Sequence, residues 1–306
     1  MFCIIAGFLA ERHKFQKIGL QKINLPVICF SLKIWYNCST YFRSIRELDE
    51  NNMIFETHAH YDDEQFTEDR EEILASMKEG GIGTIVNVGA SLASSRICVD
   101  LAESHPYIYA AAGIHPDHTG ELDESSFQEL RELLQREKVV AAGEIGLDYY
   151  WDEAPREVQK YWFVRQLYLA EELSLPVIIH SREAAADTME ILKEHAGRLS
   201  GGVIHCFSYS REMALEYVKM GFYIGVGGVV TFKNGRKLKE TVEAVPLTSL
   251  VLETDSPYLA PVPNRGKRNS SLNLPYIAEQ IAELKGVTYE QVVEQTEKNA
   301  RSLYRI

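Results

Sequence analysis

The interpretation of this chain begins with Met53-Ile54-Phe55-Glu56-Thr57-His58-Ala59-His60, a short apolar run that ends in a His-x-His pair. Side chains alternate between the two faces of a β-strand, so His58 and His60 project in the same direction. Two imidazoles on one side of a strand end suit a single metal cation. A His-x-His pair alone is more often structural, so the rest of the sequence has to supply further ligands.

Four more candidate ligands end other apolar, β-like runs: Glu144, His180, His205 and Asp255. A strand, a helix and their turns take roughly 25 to 35 residues in a βαβ repeat. The successive separations, counted from His60, are 84, 36, 25 and 50 residues, which correspond to three, one, one and two repeats. The candidates therefore belong on strands one, four, five, six and eight.

This count requires three strands without ligands, and apolar runs are present at Thr84–Val88, Tyr107–Gly113 and Phe222–Val226. Between the strands, apolar residues recur three or four positions apart, as from Phe127 to Leu134 and from Val164 to Leu173. This spacing is typical of amphipathic helices. The sequence therefore predicts eight alternating strands and helices.

Eight such repeats predict an α/β fold of the (β/α)8 TIM-barrel type over residues 53–306, since this fold usually takes about 250 residues. Its active sites lie at the carboxyl ends of the strands, where the candidate ligands fall. A doubly wound sheet is the rival architecture. It is disfavoured because neither Gly81-Ile82-Gly83 nor Gly225-Val226-Gly227 continues to a third glycine.

The bulk composition is that of one globular enzyme domain, with 45% hydrophobic and 25% charged residues. The 32 basic residues are outnumbered by 44 acidic ones, and the net charge of −12 argues against a general electrostatic grip on nucleic acid. A polyanionic substrate would have to be held locally. No G-x-S-x-G elbow is present, which favours metal-activated water as the nucleophile. No obligate protein partner is evident.

Residues 1–52 differ in composition from the rest. They contain three of the five cysteines and seven basic against four acidic residues, so residues 53–306 carry a net charge of −15. We expect residues 1–52 to be an N-terminal extension that is disordered or precedes the native start at Met53. A native protein with the full-length mass would contradict this expectation.

Membrane insertion and export are not expected. Phe2–Ala10 lacks a basic flank and a cleavage signal, and neither it nor Ile23–Tyr36 reaches the roughly 18 apolar residues of a membrane span. Cys98 and Cys206 are the cysteines outside residues 1–52, which suits a reducing cytoplasm without a disulfide.

Five motifs occur in a fixed order: Thr57-His58-Ala59-His60, Gly143-Glu144-Ile145-Gly146-Leu147-Asp148-Tyr149-Tyr150, His180-Ser181-Arg182-Glu183, Val203-Ile204-His205-Cys206-Phe207 and Leu252-Glu253-Thr254-Asp255-Ser256-Pro257-Tyr258. Together they resemble the signatures of the TatD family of metal-dependent hydrolases over nearly all of residues 53–306. The resemblance implies an amidohydrolase-superfamily barrel, one or two divalent cations and deoxyribonuclease activity, in some relatives as a 3′ to 5′ exonuclease. Some members are instead described as removing D-amino acids from mischarged tRNA.

The resemblance also implies a role for each ligand: one cation on His58, His60 and Asp255, the other on His180 and His205, and Glu144 bridging both. This mixed nitrogen and oxygen set suits Zn²⁺ or Mn²⁺ and, less comfortably, Mg²⁺. Asp255 would be the general base, Glu144 the second catalytic residue, and Glu253 a support for the ligands.

Five residues are predicted to bind substrate. Arg265, Lys267 and Arg268 follow strand eight, where barrel loops often bind phosphate, although a solvated charged loop is the alternative. Arg182, just past His180, is a second phosphate candidate that could instead pair with an acid. His115 follows strand three, and its alternative is loop packing.

Aromatic residues follow strands four and six, and they could stack on single-stranded bases or pack at the rim: Tyr149, Tyr150, Trp151, Phe207 and Tyr209. No role is assigned to His105, His118 and His195, for which capping or solvent exposure is expected. Cys206 is expected to pack as a small apolar residue.

The chain departs from the family pattern after strand eight and in strand one. Histidine is usual at Asn264, and an acidic residue followed by proline is usual where this chain has Ser270-Ser271-Leu272-Asn273-Leu274-Pro275. These changes put the shape of this loop, and with it the substrate preference, in doubt. Aspartate is usual at Glu56, and we expect little consequence because Glu56 should point away from the ligand face.

Three hypotheses for the function follow. The first and favoured one is a metal-dependent deoxyribonuclease that removes nucleotides from single-stranded 3′ ends. The second is an esterase of the same architecture acting on D-aminoacyl-tRNA or on a small phosphorylated or carbonyl substrate. The third is a catalytically silent binding or scaffold protein, which would be expected to have lost ligands. Substrate trials separate the first two, because both use the same residues.

Overall fold

The structure of the protein is a computed structural model that describes residues 53–306. The predictions for residues 1–52 lie outside the described residues. Strands and helices alternate along this part of the chain. The strands are β1 (Ile54–Ala59), β2 (Ile82–Val88), β3 (Ile108–Ala112), β4 (Val139–Asp148), β5 (Val177–Arg182), β6 (Gly202–Ile204), β7 (Phe222–Val226) and β8 (Leu250–Leu252). The helices are α1 (Arg70–Ser76), α2 (Leu92–Ser104), α3 (Glu124–Leu134), α4 (Arg156–Leu173), α5 (Ala185–His195), α6 (Arg211–Lys219), α7 (Arg236–Ala244), α8 (Leu274–Lys285) and α9 (Tyr289–Tyr304).

The eight strands form one parallel sheet in the order β1 to β8, with each strand beside its neighbour in the chain. The sheet closes where β1 meets the segment after β8. His60 N donates to Ser256 O at 2.8 Å, and Asp255 N donates to His58 O at 3.0 Å. The predicted (β/α)8 barrel is confirmed, including the three strands that carry no candidate ligand.

Glu56, where aspartate is usual in the family, contributes to this closure. Its buried side chain accepts hydrogen bonds from His58 N at 3.1 Å and Thr254 N at 2.9 Å through Oε1, and from Thr254 Oγ1 at 2.6 Å through Oε2. Burial raises the pKa of Glu56 to about 8 against these hydrogen bonds. One carboxyl group therefore links the two chain segments that carry His58 and Asp255.

The opposite, amino-terminal end of the barrel is covered by the end of α9. Tyr304 is buried and its ring stacks on Phe55 of β1, with ring centroids 6.0 Å apart. The Arg305 guanidinium donates to Ser174 O and Ser200 O, both at 3.4 Å, and these carbonyls lie just before β5 and β6. The last helix thus ties both sides of the barrel together at the end away from the candidate ligands.

Strand β4 is longer than the sequence pattern predicted. It continues past Glu144 to Asp148, so Glu144 lies within the strand rather than at its end. Gly146 allows this continuation because its φ is +148° and a Cβ there would lie 1.9 Å from His180 O. Only glycine fits at this close approach of β4 and β5.

The helices within residues 53–306 include none with both the length and the apolar character that a membrane crossing requires.

Candidate metal centre

The predicted ligands from β1, β4 and the segments after β6 and β8 meet in one cluster. His58 Nε2 lies 3.0 Å from His60 Nε2, 3.5 Å from Glu144 Oε2 and 3.9 Å from Asp255 Oδ1. His205 Nε2 lies 3.6 Å from Glu144 Oε1 and 3.8 Å from Asp255 Oδ1. Five donor groups from four places in the sequence therefore point at a common region.

These spacings fit a cation site. Ligands about 2.1 Å from a tetrahedral cation lie on the order of 3.4 Å from one another, and the donor atoms here are 3.0–3.9 Å apart. Two overlapping triads have all donor atoms within 4.8 Å: one joins His58, His60 and Asp255, and the other joins His58, Glu144 and His205. Neutral imidazoles with carboxylates are a donor set for zinc or manganese.

His180 also joins the cluster, but its nearest neighbours differ from those predicted. His180 Nδ1 donates to Glu144 Oε1 at 2.8 Å, and another triad with its donor atoms within 4.8 Å contains His115, Glu144 and His180. The rings of His180 and His205 have centroids 6.4 Å apart. The assignment of His180 and His205 to one cation therefore stays a prediction, and the structure adds His115 to the neighbourhood.

Asp148 is a site residue that the sequence pattern did not identify. Its side chain is 1% exposed, and Oδ2 lies 3.0 Å from His180 Nε2. The missed signal is the strand period: Glu144, Gly146 and Asp148 share one face if β4 is continued to its observed end. Because the strand was predicted to end at Glu144, Asp148 was not placed on the same face as Glu144 and was given no role.

In the absence of a cation, protonated imidazoles balance the negative charge of the carboxylates in the cluster. Burial lowers the pKa of His60, but the Asp255 carboxylate outweighs burial and raises that pKa to about 10. For His205, burial is outweighed by Glu253 and Glu144, and its pKa rises to about 9. Burial opposes ionisation of Glu144, but the surrounding imidazoles hold its pKa well below its usual range. Ionised carboxylates thus surround imidazoles that would exchange protons for a cation.

The backbone and neighbouring side chains fix the orientation of the imidazoles. His60 Nδ1 donates to Val88 O at 2.7 Å, so Nε2 is the nitrogen that faces the cluster and becomes a ligand once it loses its proton. The buried Glu253 lies 3.3 Å from His205 Nδ1 through Oε2 and accepts from Cys206 N at 2.6 Å through Oε1. The structure therefore places Glu253 where a supporting carboxylate was predicted.

Glycine at position 225 makes room for this support. A Cβ on Gly225 would lie 2.3 Å from Glu253 Oε2.

Asp255 has a φ of 57°, an uncommon conformation for a residue other than glycine. Such backbone strain is often found where a side chain is held for function.

The cluster lies in a cavity of about 660 Å³ at the carboxyl end of the barrel. The cavity wall contains six carboxylates: Asp62, Asp63, Asp117, Glu144, Asp148 and Asp255. Arg182 is the only lysine or arginine among the described residues that line the cavity. Its wall is therefore acidic, with a single fixed positive charge besides the histidines.

The predicted substrate residues divide into two groups. His115 and Arg182 line the cavity, whereas Arg265, Lys267 and Arg268 do not. The last three are exposed, and the Arg265 guanidinium lies 4.2 Å from the ring centroid of Phe232. Their role in phosphate binding stays a prediction.

Arg268 already has a carboxylate partner among the described residues. Its NH1 donates to Asp69 Oδ1 at 2.8 Å, and its NH2 donates to Asp69 Oδ2 at 2.5 Å. Near it, Asn264, the residue that departs from the family pattern, donates to Asn273 Oδ1 at 2.8 Å. The loop after β8 is thus held by contacts of its own side chains.

The aromatic residues after β4 and β6 have different surroundings. Phe207 is buried, and the Tyr209 hydroxyl lies 3.0 Å from Ser181 Oγ. Tyr150 and Trp151 are 50% and 58% exposed. The rings after β6 therefore belong to the packing, while those after β4 include a free aromatic surface.

Two histidines without an assigned role have specific surroundings. His195 is buried rather than exposed, and its Nδ1 donates to Glu171 Oε1 at 2.6 Å. His118 is exposed as expected, but it lines the cavity.

The chain is similar to several known proteins. The family model described as TatD related DNase matches residues 55–305. The uncharacterized metal-dependent hydrolase YabD of Bacillus subtilis (strain 168) is 45% identical over 254 residues, which cover 83% of this chain and 100% of YabD. The 3′-5′ ssDNA/RNA exonuclease TatD of Pantoea vagans (strain C9-1) is 35% identical over 248 residues, 79% of this chain and 95% of that protein. The crystal structure of YjjV, a TatD homologue from Escherichia coli K12, superposes with a TM-score of 0.79 at 32% identity, covering 84% of this chain and 99% of YjjV.

Proposed function

The chain belongs to the TatD-related DNase family and is a metal-dependent hydrolase. We propose that it hydrolyses phosphodiester bonds of DNA and removes nucleotides from single-stranded 3′ ends. The observation that carries the proposal is one cavity whose wall contains five of the six proposed ligands, all but the buried His58, together with an arginine. The relative from Pantoea vagans carries the name of a 3′-5′ exonuclease on single-stranded DNA and RNA, which supports this substrate class.

We assign the cations to the six predicted ligands: His58, His60 and Asp255 hold one, His180 and His205 the other, and Glu144 lies between them. The spacing of His58, His60 and Asp255 supports the first cation, and the contact of His180 with Glu144 supports a second. When bound, divalent cations would supply Lewis-acid charge that stabilises a phosphodiester transition state and lowers the pKa of water. The metal is Zn²⁺, Mn²⁺ or Mg²⁺, and the nitrogen-rich set favours the first two.

Asp255 is proposed as the general base. Its carboxylate faces the cavity with 18% of the side chain exposed, so it can reach a water molecule there. Burial would raise its pKa, but hydrogen bonding to His60 and the charge of His205 outweigh burial and lower it. Asp255 is therefore ionised at neutral pH and can accept a proton. Glu144 keeps the imidazoles on both sides of the cluster in place.

Residues 53–306 contain every group used in this proposal, so we assign the activity to this part of the chain. We also propose a cytoplasmic location, because the two cysteines of the described residues, Cys98 and Cys206, are free thiols.

The test is hydrolysis of labelled single-stranded DNA, duplex DNA and D-aminoacyl-tRNA with Mg²⁺, Mn²⁺ or Zn²⁺, alongside a Glu144→Ala variant. We expect the purified protein to shorten single-stranded DNA from its 3′ end and the variant to be inactive. Release of D-amino acid from tRNA without DNA cleavage would favour an esterase instead. Equal behaviour of the protein and the variant on every substrate would contradict both hypotheses.

A further inference from the structure

Arg182 is held against an aromatic surface at the wall of the cavity. Its guanidinium lies 3.9 Å from the ring centroid of Tyr150 and 5.6 Å from that of Trp151. The two rings are in edge contact with each other, with centroids 5.1 Å apart. We call Tyr150, Trp151 and Arg182 the β4–β5 platform.

No carboxylate of residues 53–306 pairs with the Arg182 guanidinium, although the cavity wall contains six acidic side chains. Stacking on Tyr150 covers one face of the guanidinium and leaves its N–H groups at the edge without an acidic partner. Arg268, by contrast, is bound to Asp69 through two nitrogens. Among the described arginines that line the cavity, Arg182 is therefore the one available for a phosphate.

The β4–β5 platform has a fixed position relative to the metal ligands. Asp148 accepts hydrogen bonds from Tyr150 N at 2.8 Å and Trp151 N at 2.9 Å through Oδ1, and its Oδ2 lies 3.0 Å from His180. Arg182 lies two residues after His180 on β5, so both side chains project on one side of the strand. Asp148 and Arg182 are paired in the register of β4 and β5.

The exposed surface of the platform suits a planar ring. Trp151 lines the cavity and is 58% exposed, so one side of its indole is free to accept a stacked partner. A base at the end of a single strand can leave its neighbours and stack on a side chain, whereas a paired base is held in the duplex. An aromatic surface beside a phosphate-binding arginine is the chemistry of a nucleotide, with its base and phosphate bound side by side.

We propose that the β4–β5 platform is a nucleotide subsite, in which Trp151 stacks on the base at a single-stranded DNA end and Arg182 binds a phosphate. This proposal rests on the proposed function and adds the residues that select an unpaired nucleotide. It also explains how an acidic protein can hold a polyanion, because one local phosphate contact replaces a broad basic surface.

The test compares the binding of 2′-deoxyadenosine 5′-monophosphate and 2-deoxyribose 5-phosphate to the full-length, metal-loaded protein by calorimetry. Both ligands carry the same phosphate monoester, so the difference in affinity measures the contribution of the base. We expect the nucleotide to bind about tenfold more tightly, the ratio that stacking of one base gives. Trp151→Ala should abolish this preference, Trp151→Phe should keep most of it, and Arg182→Gln should weaken both ligands to a similar extent.

Tyr168→Ala is the matched control, because Tyr168 is an exposed aromatic residue of α4 that does not line the cavity. It should leave both affinities unchanged, and melting temperatures of all variants would show that they fold. Equal affinity of the two ligands, or a base preference that survives in Trp151→Ala, would overturn the proposal.

The experiments distinguish a failure of the proposed nuclease activity from a failure of the proposed subsite. A protein that binds the nucleotide through Trp151 but does not cleave DNA would keep the subsite as a nucleotide site, while the proposed reaction would fail. If the base preference resides in Trp151 and D-aminoacyl-tRNA is cleaved in place of DNA, the nucleotide held at the subsite is a tRNA end, and the commitment to DNA is overturned.

Discussion

Glu144 is the residue whose carboxylate reaches every part of the cluster. Its two oxygens lie within 4 Å of nitrogens of His58, His60, His180 and His205, and its side chain is nearly fully buried. A buried carboxylate is stable only where positive charge or hydrogen bonds compensate for lost water. The local chemistry of this one side chain therefore already requires either protonated imidazoles or a cation.

Glu144→Gln should weaken metal binding and abolish hydrolysis, because glutamine has the shape of glutamate without its charge. Loss of a supporting partner of a metal ligand usually costs ~10–100-fold in metal affinity, and a direct ligand should cost at least as much. Metal affinity is measured by competition with a chelator of known affinity. Glu79→Gln, at an exposed glutamate outside the cavity, is the control. Unchanged metal affinity in Glu144→Gln would exclude Glu144 as a ligand.

Metal binding should release protons at pH 7.5. The pKa values of His60, His180 and His205 are raised to about 10, 9 and 9, so these imidazoles carry protons below those pH values, whereas a metal needs them neutral. The apparent affinity should therefore increase as the pH rises toward 9 and decrease as the pH falls. Calorimetry in buffers of different ionisation enthalpy measures the number of protons. A binding enthalpy that does not depend on the buffer would contradict this prediction.

Strands β1 and β8 are the elements on which the geometry of the cluster depends most. They carry His58, His60 and the approach to Asp255, yet they meet through few backbone bonds, one isolated bridge joining Ala59 and Ser256. Glu56 and Thr254 add side-chain hydrogen bonds across this junction. The longer side chain at position 56 thus has a structural use within the barrel.

Glu56→Ala should lower both the free energy of unfolding and the metal affinity. It removes the Glu56 oxygen that accepts from His58 N and Thr254 N and leaves the Thr254 hydroxyl with Ser256 Oγ as its acceptor, at a total cost of roughly 2–5 kcal/mol. Denaturant unfolding and chelator competition measure the two effects. Leu192→Ala, a buried truncation on α5, which follows β5, is the control. It should destabilise the fold without changing metal affinity. If both variants change metal affinity equally, the effect is one of general stability.

At the scale of the whole molecule, both the net charge and the charge of the cavity wall are negative, which is unusual for a protein proposed to act on DNA. The net charge of −12 repels a polyanion, and the cavity wall is acidic. Bound cations would neutralise part of this charge, and Arg182 supplies the fixed positive group next to them. The barrel thus concentrates attraction for phosphate at one point of an otherwise acidic surface.

The rate of DNA cleavage should therefore depend only weakly on salt. For single strands the logarithm of affinity falls with a slope of about −0.7 for each phosphate contact. One or two contacts predict a slope of about −1 for kcat/KM against salt at constant free metal. Arg182→Gln should make the slope shallower. A slope several times steeper would indicate an extended phosphate track elsewhere on the surface.

The sequence by itself determined the alternation of strands and helices and the residue types of the cluster. Both are encoded locally, because a strand repeats every two residues and a helix every 3.6. The His58 and His60 pair, and the position of His180, His205 and Asp255 after apolar runs, therefore follow from the local pattern alone. The end of β4 does not, because its last residues are held as a strand by β5 and not by their own pattern.

Only the tertiary structure decided which groups face one another. Asp148 meets His180 because of the register between β4 and β5, and Arg268 is paired with Asp69, 199 residues away in the chain. The sequence made Arg268 a phosphate candidate ahead of Arg182, yet of the two it is Arg182 that lines the cavity beside aromatic rings. The sequence does not show whether an arginine is paired with a carboxylate, because that pairing depends on long-range packing that no local pattern contains.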